Sequence, residues 1–543
     1  MEVLRLGSAG LRRAGEGRAS FACLAVVLFL AGGASATWPA IQHFDSRFLA
    51  RGELVPGEAA AGDHLQAVYH LWLVGHQLEH GRAPWLDPYT FQPESSPRVN
   101  FGGWPFGLPY WPLEATFGPV VAWNVLILLS YLAAGVFTLA WLRELGLPRG
   151  AALVGALAFV LGPYRVAQSM GHFRGPISLL IPLALWAFER SLKGSRWWLG
   201  LAGVALASIP FSDIHLALGA IPFFLVYAVL RSRDPRTLGG AGLGVVAAAG
   251  AGVLVAALTI PGSINSRGRH LREVSRYSAE KADFVTRHVR HGLESFVFLG
   301  WLTPLLALAG LAVLLRKRRF ALAAALGIGA VVPLLLALGT NLPLYSTLWR
   351  HFPPLRFPRV PERLMPVAVL CIAALAAFAI ARLRSRVIVP ALVVVALFFD
   401  LHVKLYQALP AGEGNRAYAA LRRARPGRLV ELPVFLPDRH EGSVYLYYDM
   451  QAARERPEGY STVAPVAADR TARRLRPLSC GDWRPHPDEL RRRGVRYVAV
   501  HRGMYERAPF PDGCRERAER ALVRHGFRRL AEDGSVLIYE AQR

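Results

Sequence analysis

Long apolar runs constrain this chain more than any other feature of its sequence. A helix needs about 20 apolar residues to cross the hydrocarbon core of a bilayer, and about eleven runs approach this length. They span residues 20–40, 118–142, 150–169, 175–188, 197–209, 214–230, 238–260, 296–315, 320–338, 364–381 and 387–403. The fourth and fifth runs are short enough to form one re-entrant pair instead. The pattern predicts a polytopic α-helical membrane protein.

The distribution of charge supports this class and predicts an orientation. A net charge of +25 would suggest nucleic-acid binding in a soluble protein, but only 19% of the residues are charged, against about 25% in soluble domains. Basic residues recur in every second short connection, as in Arg316-Lys317-Arg318-Arg319, which is the positive-inside pattern. We therefore expect a multi-pass protein of the cell membrane with a cytoplasmic N-terminus, an extracytoplasmic C-terminus and no nucleic-acid partner.

Two segments leave alternatives to this topology. Residues 263–295, which we call the basic loop, carry seven Lys or Arg although they are assigned to the outside; long loops translocate largely regardless of charge. Ala34-Ser35-Ala36 follows a short apolar core and resembles a signal-peptide cleavage site. The apolar stretch continues through Trp38 and Ile41, which favours an uncleaved helix. Either interpretation places the following loop outside.

These observations divide the chain into four parts. They are a cytoplasmic N-terminus with the first transmembrane helix (1–41), a first extracytoplasmic loop with interfacial helices (42–117), a transmembrane bundle (118–403) and a small extracytoplasmic α/β domain (404–543). Alternation of β-rich runs with charged, helix-like stretches predicts the last part. Cys480 and Cys514 both lie there, where a disulfide fits an oxidising exterior; two free thiols are the alternative.

The first loop (42–117) contains the most informative residues. It starts with Phe44-Asp45-Ser46-Arg47 directly after the first helix. Gly62-Asp63-His64 then opens an amphipathic stretch over residues 65–80, with Asp63 placed as an N-cap and Gly81 as the stop. A helix of this kind is expected to lie in the membrane interface.

The layout resembles the GT-C integral-membrane glycosyltransferases. The local likeness lies in Gly62-Asp63 with Leu71-Trp72, Gly81-x-x-Pro84 and Pro88 behind it, and in Phe357-Pro358-Arg359-Val360-Pro361-Glu362-Arg363 before a late helix. The resemblance implies a GT-C fold, a polyprenyl-phosphate sugar donor, membrane lipid as a partner and an unknown acceptor on the outer face. Some members use a divalent metal, for which no ligand set is evident here.

Glycosyl transfer needs a carboxylate that accepts the proton of the acceptor hydroxyl. Many members of this family carry paired acidic residues after the first helix, whereas Ser46 follows Asp45 in this chain. Asp63 and Asp45 therefore both remain candidates for the catalytic base. An N-terminal helix cap is the alternative role for each.

The reaction also needs cations that hold the lipid-phosphate leaving group. Arg356, Arg359 and Arg363 lie on a predicted outer segment, against the positive-inside tendency, which favours an anionic ligand over a lipid-headgroup anchor. Further polar residues fall at predicted outer helix ends and are expected to line the same substrate-binding cavity. They are His172, Arg174, Asp213 and His215.

Two other functions remain open at the level of the sequence. A transporter or flippase of lipid-linked saccharides would have Gly- or Pro-broken helices at matching places in two halves; the sequence shows no such symmetry. A non-catalytic membrane protein of envelope assembly is the second alternative. The gathering of polar residues at one membrane face favours the glycosyltransferase.

Overall fold

In the computed structural model, each predicted apolar run contains a helix. The structure describes residues 2–95, 98–290, 292–383, 385, 387–484, 488–508 and 510–542. Within these, six helices are long and apolar enough to cross a membrane: Ala19–Thr37, Gly107–Glu144, Ile214–Arg231, Pro235–Thr259, Phe320–Ala337 and Pro361–Ile380. Four apolar helices of 10–17 residues accompany them. The multi-pass helical architecture is confirmed, and the count of eleven crossings stays a prediction.

The helices are numbered along the chain. Those up to residue 260 are α1 (Glu2–Thr37), α2 (Asp63–Glu79), α3 (Gly107–Glu144), α4 (Arg149–Val160), α5 (Pro163–Ala167), α6 (Arg174–Ile177), α7 (Leu180–Ser191), α8 (Trp197–Ser212), α9 (Ile214–Arg231) and α10 (Pro235–Thr259). The next six are α11 (Leu271–Ser275), α12 (Leu302–Arg316), α13 (Phe320–Ala337), α14 (Pro343–His351), α15 (Met365–Ile380) and α16 (Ile388–Asp400). Gly118, with a φ of 77°, and Pro119 break α3 into two helices, because glycine tolerates the left-handed conformation and proline suits a helix start.

The bundle is organised around α15. All 16 of its residues are buried, and it packs against α4, α12 and α13. Peripheral helices instead expose apolar side chains, for example Leu243 on α10 and Phe399 on α16, which are 71% and 75% exposed. Apolar surface of this extent is explained by contact with lipid rather than water.

The C-terminal segment (404–543) contains the predicted α/β structure. Its helices are α17 (Arg416–Arg423), α18 (Ser443–Gln451), α19 (Val466–Leu475), α20 (Glu489–Arg492), α21 (Arg502–Arg507) and α22 (Cys514–Arg524). Strands of one sheet run in the order 428–432, 495–501, 536–541 and 527–533, with the first pair parallel and the others antiparallel. A disulfide joins Cys480 to Cys514, which confirms that part of the sequence prediction.

The C-terminal segment is attached to the first loop through backbone pairing. Strand Phe48–Ala50 pairs antiparallel with Gln407–Leu409. Asn124 of α3 accepts a hydrogen bond from the Leu49 amide at 2.8 Å, which fixes this small sheet to the bundle. A second two-stranded ladder joins Leu86–Asp87 to Arg98–Val99 within the first loop.

A fully buried ionic network reinforces this attachment. His501 lies 2.5 Å from Glu58 of the first loop and 2.9 Å from Glu431. Arg456 contacts Glu431 at 2.6 Å and Asp449 at 2.5 Å. Charges without access to water are tolerated only when they are paired and hydrogen-bonded. Docking of the first loop onto the C-terminal segment therefore depends on Glu58 meeting His501.

This network predicts a pH dependence of stability. Burial alone would lower the pKa of His501, but the charge of Glu58 and hydrogen bonds with Glu431 and Glu58 raise it from 6.5 to about 9. A pKa that is higher in the folded state gives stability that is complete below the unfolded pKa of 6.5 and is lost as the pH rises through about 9. We expect the Tm of the purified protein to fall across this range.

In His501→Gln, the decrease of Tm with rising pH should be smaller than in the wild type. Replacement of the exposed His525 by Gln should leave the decrease as in the wild type. The measurement is thermal unfolding in detergent at a series of pH values. An equal fall in Tm for wild type and His501→Gln would contradict the role given to His501.

The disulfide predicts a second stability effect. It joins residues 34 positions apart, and loop-closure entropy for that separation is about 4 kcal/mol. Replacing both Cys480 and Cys514 by Ser should lower the Tm and make it insensitive to reductant. Cys23→Ser, which removes an exposed free thiol, should keep the reductant-sensitive Tm of the wild type. A reductant effect that survives in the double variant would contradict the assignment.

Candidate active site

A cavity of about 730 Å³ lies where the first loop, the bundle and the C-terminal segment meet, and we call it the main cavity. Seven of the nine residues predicted from the sequence line it. They are Asp63, His172, Arg174, Asp213, His215, Arg359 and Arg363. Residues separated by about 300 positions along the chain therefore share one site.

Asp63 occupies one end of the main cavity. It is the first residue of α2, directly after Gly62, and its side chain is 29% exposed. The hydroxyl of Tyr460 donates to Oδ1 at 2.6 Å, and Nε2 of His172 lies 3.1 Å from Oδ2. The carboxylate is thus held by the C-terminal segment on one side and by the loop between α5 and α6 on the other.

These contacts make Asp63 and His172 an ion pair. Burial would raise the pKa of Asp63, but the positive charge of His172 and hydrogen bonds from His172 and Tyr460 hold it below its usual value. Burial would lower the pKa of His172, but Asp63 and Glu294 raise it to about 9. At neutral pH the site therefore contains an ionised carboxylate next to an imidazolium.

Glu294 connects this pair to the arginines. It lies 3.5 Å from Nε2 of His172, 3.2 Å from the guanidinium of Arg359 and 4.0 Å from that of Arg363. These cations hold the pKa of Glu294 well below its usual value although burial opposes this. Glu294 holds the two guanidinium groups near each other. Without such a contact, rotation about the side-chain bonds of each Arg would leave its guanidinium mobile.

A second chain of polar contacts extends from Arg363 across the bundle. Its guanidinium donates to Nδ1 of His215 at 2.7 Å, and this atom lies 3.6 Å from Asp213. Asp213 caps the start of α9 through two backbone amides and pairs with Arg174 at 2.5 Å. Arg174 also donates to Gln168 at 2.7 Å. The seven predicted residues that line the main cavity therefore belong to one connected network.

Several polar atoms in the main cavity are buried and have no hydrogen-bond partner among the described residues. They include Nε of Arg359, Nε of Arg363 and Nδ2 of Asn100. A buried donor without a partner costs about 1–3 kcal/mol. Donors left open in this way are suited to an anionic ligand, because guanidinium groups make strong, charge-assisted hydrogen bonds to phosphate oxygens.

The opposite wall of the main cavity is apolar. It is formed by residues of α8, α9 and α10, among them Pro210, Ile221, Gly252 and Val253. Val253 lines the cavity and is 70% exposed, so this wall reaches the lipid-facing side of α10. One cavity thus combines a cationic end with an apolar side that adjoins the membrane.

Two of the predicted residues, Asp45 and Arg356, lie outside the main cavity. Asp45 lies exposed in the turn between α1 and strand Phe48–Ala50. Arg356 directs its guanidinium to the end of α14, where it donates to the carbonyls of Trp349 at 3.1 Å and Arg350 at 2.6 Å. Neither residue lines the cavity, so Asp63 rather than Asp45 is the candidate base that shares the cavity with Arg359 and Arg363.

Sequence reasoning missed two residues of the site. Glu294 lies in the basic loop, where an acidic residue among many cations was a signal that could have been noticed. Tyr460 lies in the C-terminal segment and carried no signal, because only the tertiary structure brings it to Asp63.

The side chains around Asp63 bear on whether this cavity could hold a divalent cation. Both oxygens of Asp63 are engaged by Tyr460 and the protonated His172. No group of three or more His, Cys, Asp or Glu side chains among the described residues could hold a metal ion.

Known proteins resemble this chain in structure rather than in sequence. No protein-family model matches it, and no curated protein matches it. The arabinofuranosyltransferase AftD from Mycobacteria superposes with a TM-score of 0.59 at 17% identity, over 97% of this chain and 40% of that one. The apo oligosaccharyltransferase of Archaeoglobus fulgidus gives a TM-score of 0.50 at 13% identity, over 89% and 69%.

This chain spans about two fifths of the length of the mycobacterial enzyme. Both proteins are GT-C glycosyltransferases, and both superpositions extend over most of this chain. The chain therefore has the GT-C fold of integral-membrane glycosyltransferases, which confirms the resemblance drawn from the sequence.

Proposed function

We propose that the protein transfers a sugar from a polyprenyl-phosphate donor to an acceptor on the outer face of the membrane. The observation that carries this proposal is the composition of the main cavity. It contains the ionised carboxylate of Asp63, two arginines whose Nε atoms have no partner among the described residues, Arg359 and Arg363, and an apolar wall at the lipid boundary. These are the groups that such a donor and acceptor need.

Asp63 is the proposed base. The acceptor oxygen forms a bond to the anomeric carbon while the bond from that carbon to the lipid phosphate breaks, and the acceptor proton passes to the Asp63 carboxylate. The carboxylate already accepts one O–H hydrogen bond, from Tyr460 to Oδ1 at 2.6 Å. His172 stays protonated beside Asp63 and keeps the carboxylate ionised until this transfer.

Arg359 and Arg363 are the proposed phosphate ligands. The leaving phosphate departs with the electron pair of the broken bond, and preorganised cations stabilise the charge that it gains. Glu294 holds both guanidinium groups in place before the donor arrives. The isoprenoid chain would lie along the apolar wall formed by α8, α9 and α10.

The base is tested by Asp63→Asn. General-base catalysis contributes about 10²–10⁴-fold, so release of lipid phosphate should fall at least 100-fold. The assay uses purified protein in proteoliposomes with a radiolabelled undecaprenyl-phosphate sugar. Asp512→Asn, which neutralises an exposed carboxylate of the C-terminal segment, should keep the wild-type rate.

Asp45→Asn discriminates between the two carboxylates named from the sequence. Loss of activity in Asp45→Asn with retention in Asp63→Asn would transfer the role of base to Asp45. Movement of the intact lipid-linked sugar across the bilayer, without release of lipid phosphate, would support the transporter instead.

The donor path is tested at Gly252. A Cβ at this position would lie 3.8 Å from Pro210, an ordinary contact, so a larger side chain enters the apolar wall without displacing backbone. Crowding of an apolar site costs about 1–3 kcal/mol. Gly252→Leu should therefore slow turnover of an undecaprenyl donor about tenfold or more, and that of a farnesyl donor much less.

Gly250→Leu is the matched control. Gly250 lies on the same helix, faces open space and does not line the cavity, so this variant should behave as the wild type with both donors. Equal slowing of the two donors by Gly252→Leu would show that the isoprenoid chain does not follow this wall.

A further inference from the structure

A second cavity, of about 510 Å³, adjoins the main cavity on the side of the C-terminal segment. Its volume falls in the usual range of small-molecule sites, about 300–1,000 Å³. Four residues, Arg98, Val99, Thr259 and Val463, line both cavities. These four residues therefore form the boundary between the second cavity and the site that contains Asp63.

The second cavity is built on ordered backbone. Ser263 forms an antiparallel bridge with Pro465, and the amide of Ile264 donates to the carbonyl of Ala464 at 2.9 Å. The amide of Val466, at the start of α19, donates to the carbonyl of Gly262 at 2.9 Å. These bonds fix the end of α10 against α19, with the cavity at their junction.

Two polar atoms at this junction are buried and have no hydrogen-bond partner within the described part of the chain. They are Oγ of Ser263, in a residue that is 2% exposed, and Oε2 of Glu94. The other Glu94 oxygen, Oε1, is engaged by the hydroxyl of Thr471 at 2.6 Å and by Arg493. The Glu94 carboxylate is therefore held in place by one oxygen while the other is free to accept a hydrogen bond.

These groups select a ligand by their chemistry. A free carboxylate oxygen accepts from hydroxyl groups, and a serine hydroxyl donates or accepts. Arg98 and Arg470 add donors at the edge of the cavity, and Val463 offers an apolar contact. A sugar presents hydroxyl groups around its rim and C–H groups on its faces, which matches this combination.

We infer that the second cavity binds a saccharide portion of the acceptor. The inference rests on the proposed function, and it assigns the acceptor to a chemical class. The donor would reach the main cavity from the apolar wall of α10, and the acceptor saccharide from the side of α19. The acceptor hydroxyl would meet Asp63 across the partition formed by the four shared residues.

The experiment measures saccharide binding without any donor. Purified protein in nanodiscs is titrated with maltotetraose, with α-1,6-mannotetraose and with tetragalacturonic acid, and binding is followed by saturation-transfer difference NMR. We expect at least one of the three tetrasaccharides to bind. Ala467→Trp, which fills the cavity from the half-exposed side of α19, should weaken binding at least tenfold.

Ser263→Ala removes one hydrogen-bonding group and should weaken binding about fivefold. Arg474→Ala, which changes an exposed residue of α19 that does not line the cavity, should bind as the wild type. The inference is overturned if none of the three tetrasaccharides binds, or if Ala467→Trp leaves binding unchanged.

Lipid-phosphate release by the same preparations separates this inference from the proposed function. If Ala467→Trp still releases lipid phosphate with an unchanged KM for the acceptor, the saccharide site is overturned and the proposed transferase function stands. Saccharide binding that depends on Ser263 and Ala467, without any lipid-phosphate release, would support the site and count against the transferase.

Discussion

The ion pair between Asp63 and His172 is the interaction on which the site depends. A carboxylate beside a bilayer, with limited access to water, stays charged only if a cation accompanies it. His172 supplies that cation, and Glu294 in turn joins His172 to Arg359 and Arg363. Because each charge is compensated by a neighbour from a different part of the chain, the network assembles only when all of these parts are docked.

The same principle governs the attachment of the C-terminal segment. Its buried His501 meets Glu58 of the first loop, only five positions before Asp63. Tyr460 of the C-terminal segment then reaches Asp63 from the other side. A single region of the first loop is thus fixed by one buried ion pair and one hydrogen bond, so the position of the proposed base is coupled to the folding of a segment about 400 residues away.

The two cavities differ in ways that suit two different substrates. The main cavity joins a cationic end to an apolar wall at the lipid boundary, whereas the second cavity has free hydrogen-bond acceptors and lies against the C-terminal segment. This arrangement of two cavities requires the basic loop. The basic loop is also the segment of the chain that the positive-inside pattern explains least well. Its cationic character is offset in the structure by Glu294, Glu273 and Asp283, which pair with Arg359, Arg269 and Arg290.

The amino-acid sequence was sufficient to predict the helical membrane class, the approximate position of each apolar helix and most of the polar residues that line the main cavity. This was possible because hydrophobic length and the cost of charge near lipid are local properties of the chain. The sequence did not reveal that Asp63 rather than Asp45 lines the cavity with the arginines, that Arg356 is bound to the end of α14, or that Glu294 and Tyr460 contact the predicted residues. Those outcomes depend on pairings between distant segments, which no local pattern records, so they became visible only in the folded structure.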